Sequence, residues 1–415
     1  MDTPLPPQAL RALTRTLAAA RDEQIMRVVA MVDGLEQRGA ADGLIAPLQP
    51  RLAELHPSRP LRFARLLFLP LDPLIVPAGR WRAGSATVPR TALAPLAEAV
   101  HAALGPVAET IEAAIARHSL GDKDAVAVNG ETLWPLAGAI LAAAPALPGW
   151  QATGLPAASA QSLAHGVGAV LLAVVALRGL VAQAEIGVTL EPEPVQAILA
   201  EVAAAGNEPL AMAVAVLLAW LPEAAALLPR GASVLGPDGP TLMRLAAARA
   251  SEVLLDRLEV KGGAEAVLAT GSVGETGAEV RRITTLLDAL DEAGPPERRR
   301  RLAAIRGRLE QSCRSRFASG LAAGVAAPLQ ATGGGPTAEV LAGVEATARG
   351  LRQLEGAARR LGGGALYDSM LRDTAAAVWA SPADGALGVA DKVRLVEILA
   401  GSDEADALLA KSGLG

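Results

Sequence analysis

Four histidines and one cysteine are the side chains with the widest chemical range in this sequence: His56, His101, His118, His165 and Cys313. Glu98 and His101 stand three residues apart, the spacing at which a helix presents both groups to one metal ion in di-iron carboxylate bundles. Such a site takes a second Glu-x-x-His pair and further carboxylates, and this sequence has no second pair. We therefore expect no metal site.

Cys313 has charged neighbours in the sequence but lies on the apolar stripe of a predicted helix. Arg314 and Arg316 follow it and could lower its pKa, but its position on an apolar helical stripe predicts burial instead. A lone cysteine forms neither an intramolecular disulfide nor a cysteine-rich zinc site, so we expect a reducing compartment, the cytoplasm. The sequence has no nucleophile elbow and no P-loop, and we therefore expect no catalytic residues for acyl or phosphoryl transfer.

The glycine-rich stretch Thr270–Gly277 is the sharpest motif. It reads TGSVGETG, with glycines at Gly271, Gly274 and Gly277, between the apolar run 266–269 and a helical pattern. Its spacing resembles the TGxxGxxG turn of extended short-chain dehydrogenases over roughly 30 residues. The resemblance implies that backbone N–H groups at a helix start would hold the pyrophosphate of a nucleotide, in an enzyme or a sensor.

Three features depart from that family's pattern. Glu275 would lie near the phosphates, no second strand with an acidic residue follows, and Tyr367 is followed four places later by Leu371, where the family has its catalytic lysine. We therefore interpret residues 270–277 as a loop that joins two helices and expect no cofactor. A nucleotide-binding enzyme or sensor remains the alternative.

A proline-rich segment, 56–90, combines scarce aromatic residues with many arginines. Irregular segments often carry binding residues, and aromatic residues and arginine dominate interaction hot spots. The partner-binding candidates in it are Arg62, Arg65, Phe68, Arg80, Trp81 and Arg82. The plainer interpretation is a long connector anchored to the helices by Phe63, Leu67, Leu69 and Ile75.

A second concentration of arginine occupies a predicted helix. Eight arginines lie between Arg298 and Arg316, and an apolar stripe runs through Leu302, Ile305, Leu309, Cys313 and Phe317. We expect the arginines to form a solvated face that is partly paired with acidic neighbours. The alternative is a docking surface for an acidic protein or a phosphate, with Arg298, Arg301 and Arg308 as candidates. Nucleic acid is not expected as a partner, because no aromatic residues interleave for base stacking.

Charge is unevenly distributed along the chain. The net charge is −5 at a pI of about 5.6, which argues against a nucleic acid or an anionic surface as a global partner. Only Lys123, Arg178 and Arg230 are basic between His118 and Met243, against ten acidic residues. This acidic middle could pair with the basic flanks within one subunit or between subunits. A homo-oligomer is therefore compatible with the sequence.

The elements that would position these residues are helices. Apolar residues recur at helical spacing and nothing alternates with period two, so we predict an all-α fold, an irregular antiparallel helical array that is solenoid-like or a multi-helix bundle, without a substantial β-sheet. Predicted helices cover 10–35, 44–55, 93–115, 133–144, 157–182, 195–205, 209–228, 241–260, 278–293, 296–326, 337–361, 365–380 and 389–410, with 121–130 a connection.

A stretch from Thr132 to Leu177 contains no Asp, Glu, Lys or Arg. A membrane span takes about 20 apolar residues, but prolines interrupt the first half and Arg178 limits the second. Much of the stretch is Ala and Gly, which suit close helix packing. We predict buried core helices and keep a membrane-associated protein as a further alternative.

Three regions follow from these patterns. Residues 1–120 form an N-terminal helical region that includes the irregular segment 56–90, residues 121–235 an apolar and acidic central region, and residues 236–415 a C-terminal region with the arginine-rich helix. Arginines interrupt the apolar positions of the first 24 residues, so no signal peptide is expected. The preference for Arg over Lys suggests a bacterial origin. The predicted function is a non-enzymatic scaffold or adaptor whose partner is another protein.

Overall fold

A computed structural model of the chain describes residues 16, 20, 22–33, 60–143, 145–230, 232–260, 268, 273–291, 296–330, 336–381 and 387–411. These residues are predominantly helical, and the predicted all-α class is confirmed. The chain divides into two compact units, Met1–Leu254 and Leu255–Gly415. The three predicted regions stay a prediction.

Unit 1 is built around two long helices. Its helices are α1 (Asp22–Asp33), α2 (Phe63–Phe68), α3 (Leu93–Leu104), α4 (Pro106–Ile115), α5 (Lys123–Ala142), α6 (Ser159–Glu185), α7 (Pro192–Ala203), α8 (Asn207–Trp220) and most of α9 (Gly239–Glu259). The helices α2, α3 and α4 pack on α5, whereas α7 and α8 pack on α6. Residues 209–219 of α8 are buried without a break, so this short helix forms the centre of the core.

Glycines bring α5 and α6 into backbone contact. A Cβ at Gly168 would lie 2.5 Å from the backbone nitrogen of Ala142, and one at Gly138 would lie 2.8 Å from the nitrogen of Leu172. Only glycine permits this approach, because any larger side chain would separate the two backbones. The Ala- and Gly-rich composition of the uncharged stretch therefore serves close helix packing.

Unit 2 repeats the same principle with a different helix pair. It contains the end of α9, then α10 (Val273–Asp291), α11 (Pro296–Gly320), α12 (Ala327–Gln330), α13 (Ala338–Ala358), α14 (Gly364–Ala380), α15 (Val389–Ala400) and α16 (Ser402–Lys411). A π-helical turn, Leu321–Ala326, joins α11 to α12. The pair α10 and α13 forms the most extensive helix contact among the described residues of the unit, and α11 packs on both.

Several boundaries differ from the predicted ones. The predicted connection 121–130 is helical from Lys123, and α5 continues through Pro135 because its packing against α6 outweighs the lost backbone hydrogen bond. The single helix predicted over 389–410 is divided at Gly401, whose φ of +96° suits glycine. The predicted helix 44–55 lies outside the described residues.

The segment 56–90 is irregular, as predicted, from Pro60 onward. Besides α2 it holds 3₁₀ turns at Leu69–Leu74 and Ala78–Arg80, and a further 3₁₀ turn, Arg90–Ala92, follows it. Two strands of two residues, β1 (Ile75–Val76) and β2 (Val88–Pro89), pair in parallel. This small pairing brings the ends of the intervening loop together.

Two helices, α5 and α6, are long and apolar enough to cross a membrane by length and composition alone, with mean hydropathy of 1.2 and 2.0. Within those apolar windows 39% and 50% of the residues are buried inside the protein. Core helices pass the same test, so this finding is weak evidence. A membrane association stays an alternative.

Candidate functional site

Residues 77–90, the arginine loop, comprise the compact connection from β1 to β2, the strand β2 and Arg90 directly after it. The indole Nε1 of Trp81 donates to the backbone oxygen of Thr87 at 3.1 Å, across the loop. The hydroxyl oxygens of Ser85 and Thr87 lie 2.6 Å apart, and Ser85 also donates to the oxygen of Arg82 at 2.6 Å. These bonds fix the loop from within.

A hydrogen bond to the first turn of α8 also holds the loop. The backbone N–H of Ala86, a buried residue with a φ of +55°, donates to Oε1 of Glu208 at 3.2 Å. Glu208 is in the first turn of α8. A left-handed alanine costs free energy and persists only where its surroundings hold it. The contact with Glu208 therefore helps to hold Ala86, and with it the loop, in this conformation.

The arginine loop lies near the start of α6. A Cβ at Gly166 would be 3.7 Å from Cγ of Pro209, the residue after Glu208. The 3₁₀ turn Arg90–Ala92 packs against the 3₁₀ turn Trp150–Thr153. That second turn belongs to residues 145–162, the uncharged tip, which joins α5 to α6 without any charged residue. A basic surface therefore adjoins an uncharged one.

Three arginines project from the loop surface: Arg80, Arg82 and Arg90 are all exposed. Arg82 donates from Nη1 to the backbone oxygens of Gly79 and Trp81, at 3.2 and 2.7 Å. No carboxylate of the described residues lies within 4.0 Å of any of the three guanidinium groups. Their charges are therefore exposed on a fixed backbone.

The remaining candidates of the segment 56–90 are placed differently. Phe68 and Trp81 are only 3% and 8% exposed, so both are part of the core. Arg65 forms a two-bond contact with Asp72, at 3.0 and 2.9 Å, which neutralises its charge. Arg62 is exposed at the start of α2. The two aromatic candidates thus support the loop rather than present themselves to solvent.

The arginine-rich helix α11 is largely engaged within unit 2. Arg301 contacts Asp256 and also Glu259, whose Oε1 lies 2.7 Å from its Nε. The hydrogen bond from Arg301 lowers the pKa of Glu259. Arg308 donates to the oxygen of Leu258 at 3.3 Å. The predicted apolar stripe of α11 is confirmed, because all five of its residues are 0% exposed: Leu302, Ile305, Leu309, Cys313 and Phe317.

Other arginines of unit 2 follow the same pattern. Arg306 bridges Asp288 and Asp291 of α10, at 3.0 and 2.8 Å, and Arg360 also contacts Asp288. Arg298 is half-buried in the first turn of α11. The expectation of arginines paired with acidic neighbours matches these contacts, and a docking role for Arg298, Arg301 and Arg308 stays a prediction.

The glycine motif is helical from Val273, so the predicted loop over 270–277 is wrong for Val273–Gly277. A Cβ at Gly277 would lie 2.8 Å from the nitrogen of Leu354, and one at Gly350 would lie 2.8 Å from the nitrogen of Gly274. Gly277 of α10 and Gly350 of α13 thus allow the two helices to cross closely. Gly271 lies outside the described residues, and nucleotide binding stays a prediction.

The three histidines that the structure describes have separate partners, and His56 lies outside the described residues. Nε2 of His101 lies 3.4 Å from Oε1 of Glu112, and Nδ1 of His118 lies 2.6 Å from Oδ2 of Asp122. Nδ1 of His165 lies 3.2 Å from the oxygen of Ala142. Within the part of the chain that the structure describes, no group of three or more His, Cys, Asp or Glu could hold a metal ion.

Cys313 is buried, as its place on the apolar stripe predicts. Burial raises the pKa of its thiol to about 12, against 9.0 for an ordinary cysteine, and the charge of Glu310 acts in the same direction. Burial likewise raises the pKa of Tyr367 to about 12. A protonated, enclosed thiol is a poor nucleophile, so the flanking arginines do not activate Cys313.

Sequence reasoning included Arg90 in the arginine-rich segment 56–90 but missed Glu208, which completes the loop site. Glu208 carried no usable signal, because its partner Ala86 is 122 residues away. Comparison with protein-family models, with curated proteins and with solved structures gives no match to this chain.

Proposed function

We propose that the protein is a non-enzymatic helical scaffold or adaptor that binds a protein partner through the arginine loop. One observation carries the proposal. Arg80, Arg82 and Arg90 are exposed, lack carboxylate partners among the described residues, and stand on a loop held from both sides. A loop whose backbone is already fixed loses less backbone entropy on binding, and its exposed cations attract a complementary acidic surface.

The contrast with unit 2 narrows the choice of surface. There Arg301, Arg306 and Arg360 are each paired with carboxylates of their own unit. An ion pair already made within the protein would have to be exchanged for one with a partner, with little net gain. The arginine loop is therefore the better docking candidate, and its partner should present acidic groups.

The proposal includes no chemical step. The single thiol is enclosed and protonated, and each of the three histidines that the structure describes contacts a different partner. We further propose a reducing cytoplasmic location, which suits a chain with one cysteine.

Affinity capture with quantitative mass spectrometry tests the proposal. The bait is the full chain, compared with the triple variant Arg80→Glu, Arg82→Glu and Arg90→Glu, the loop reversal. The matched control reverses three other exposed arginines, Arg244→Glu, Arg249→Glu and Arg299→Glu. We expect a partner that the wild type and the control retain and the loop reversal loses. Equal capture by all three folded proteins would contradict a role for the loop.

A further inference from the structure

The turn at the other end of α6 is the acidic counterpart of the arginine loop. Residues 185–193, the acidic turn, join α6 to α7 and carry Glu185, Glu191 and Glu193, all exposed. None of these three carboxylates has an ion-pair partner among the described residues. Unpaired negative charge is thus concentrated in this turn.

The acidic turn also exposes large apolar side chains. Ile186 is 79% exposed and Val188 is 47% exposed, between the glutamates on either side. An apolar centre with a charged rim is the usual anatomy of a protein interface. At the other end, the uncharged tip beside the arginine loop presents Pro148, Ala152 and Pro156 to solvent. One end of α6 therefore combines uncharged surface with positive charge. The other end combines exposed apolar side chains with negative charge.

The two surfaces are too far apart to meet within one copy of unit 1. From Gly166, near the arginine loop, to Glu185 the helix α6 extends about 28 Å at 1.5 Å per residue. Charges at that separation are screened from one another at physiological salt. Complementary surfaces at opposite ends of one rod can instead meet between two copies.

We infer that the acidic turn of a second copy of this chain is the partner of the arginine loop, so that copies associate head to tail. This inference rests on the proposed function, since it names the partner of the same loop. The contact is heterologous: one copy contributes Arg80, Arg82 and Arg90, and the next contributes Glu185, Glu191 and Glu193. Such contacts produce rings when the rotation closes and open chains when it does not.

Charge complementarity selects a second copy over a nucleic acid or a lipid surface. Both of those are anionic throughout, and the acidic turn with its neighbours in the region from His118 to Met243, at net −7 by residue type, would be repelled by them. A second copy offers carboxylates to the arginines and arginines to the carboxylates at the same time.

A charge-swap experiment tests the inference by sedimentation velocity over a range of protein and salt concentrations. Wild-type protein should associate, and salt should weaken the association. The loop reversal should weaken self-association on the order of tenfold or more, because like charges then face each other. The turn reversal, Glu185→Arg with Glu191→Arg and Glu193→Arg, should do the same.

The decisive test is a mixture of the loop-reversal and turn-reversal proteins. The glutamates of one loop now face the arginines of the other turn, so the equimolar mixture should associate again although neither protein does so alone. The control reversal Glu98→Arg, Glu131→Arg and Glu223→Arg, at other exposed glutamates of unit 1, should associate like the wild type. Far-UV circular dichroism and thermal midpoints establish that each variant is folded.

The possible failures are distinguishable. A wild-type protein that stays monomeric at every concentration and salt, or a mixture of folded variants that does not recover, overturns head-to-tail association. If captured partners depend on the loop but the turn reversal changes nothing, the partner is another acidic protein: the inference fails and the proposed function stands. If neither capture nor association depends on the loop, both fail.

Discussion

The backbone N–H of Ala86 donates to Oε1 of Glu208 at 3.2 Å, although 122 residues separate the two. Glu208 lies in the first turn of α8, the most buried helix of unit 1. Its bond holds Ala86, the one non-glycine residue of the arginine loop with a positive φ. The conformation of this exposed loop thus depends in part on the core. Removal of the carboxylate should free the loop without unfolding the unit.

Glu208→Ala should therefore destabilise unit 1 by about 1.5 kcal/mol, the lower end of the range for a hydrogen bond to a charged group. Its larger effect should be local, with faster amide exchange at residues 82–88 and faster proteolysis between β1 and β2. Hydrogen exchange read by mass spectrometry measures both. Glu208→Gln keeps an acceptor oxygen and should stay close to the wild type. Equal protection of the loop in Glu208→Ala would show that the internal bonds of Trp81 and Ser85 suffice.

The crossing of α5 and α6 should not tolerate a methyl group at its centre. In Gly168→Ala the new Cβ would lie 2.5 Å from the backbone nitrogen of Ala142, and the helices must separate. We expect a loss of roughly 2–3 kcal/mol, or more, in urea unfolding, as for other overpacked cores. Gly179→Ala in the same helix meets nothing within 4 Å. It should be neutral or stabilising by up to about 1 kcal/mol, and a similar loss there would contradict the packing explanation.

A similar pair of glycine variants distinguishes the two interpretations of the glycine motif in α10, helix packing and nucleotide binding. Gly277→Ala would place a Cβ 2.8 Å from the nitrogen of Leu354, so we expect a loss of about 2 kcal/mol or more from unit 2. The control Gly343→Ala, in α13, meets open space. Isothermal titration of the wild type with ATP and with NADH provides the contrasting result. The nucleotide alternative would be favoured over packing by two results together. The wild type would bind a nucleotide with micromolar affinity, and Gly277→Ala would keep the wild-type stability but fail to bind.

Alkaline pH should weaken unit 2 through Cys313 and Tyr367. Both groups are neutral in the folded state with pKa values near 12, against ordinary values of 9.0 and 10.0. Between pH 9.0 and about 12 the unfolded chain loses these protons first, so it binds fewer protons than the folded chain and stability falls as pH rises. Urea unfolding at about pH 8 and about pH 11 measures the slope. The double variant Cys313→Ala with Tyr367→Phe should show a shallower decline, and an unchanged slope would assign the effect to other groups.

The hydroxyl of Tyr367 is buried without a hydrogen-bond partner among the described residues. Its ring stacks edge-on against Phe317, with centroids 4.9 Å apart. Tyr367→Phe keeps the ring contact and removes only the unpaired hydroxyl. The thermal midpoint should therefore be unchanged or higher, with a gain in the free energy of unfolding of up to about 1 kcal/mol. Phe317→Ala loses the ring contact as well and should cost about 3 kcal/mol or more. A clear loss in Tyr367→Phe would reveal a bonded water at the hydroxyl.

The sequence by itself determined the class of this fold. Apolar residues at helical spacing predict helices wherever they repeat, and the stripe from Leu302 to Phe317 was correct at every position because a helix face follows from local spacing alone. Burial of Cys313 followed from the same stripe.

Only the tertiary structure decided how glycines and arginines are used. Residues 273–277 were predicted as a loop, yet they are helical because α13 packs against them, and α5 continues through Pro135 because it packs along α6. Arg301 and Arg80 look alike in the sequence, but the first is paired with Asp256 and Glu259, and the second has no carboxylate partner among the described residues. Such differences depend on distant partners, which local spacing does not encode.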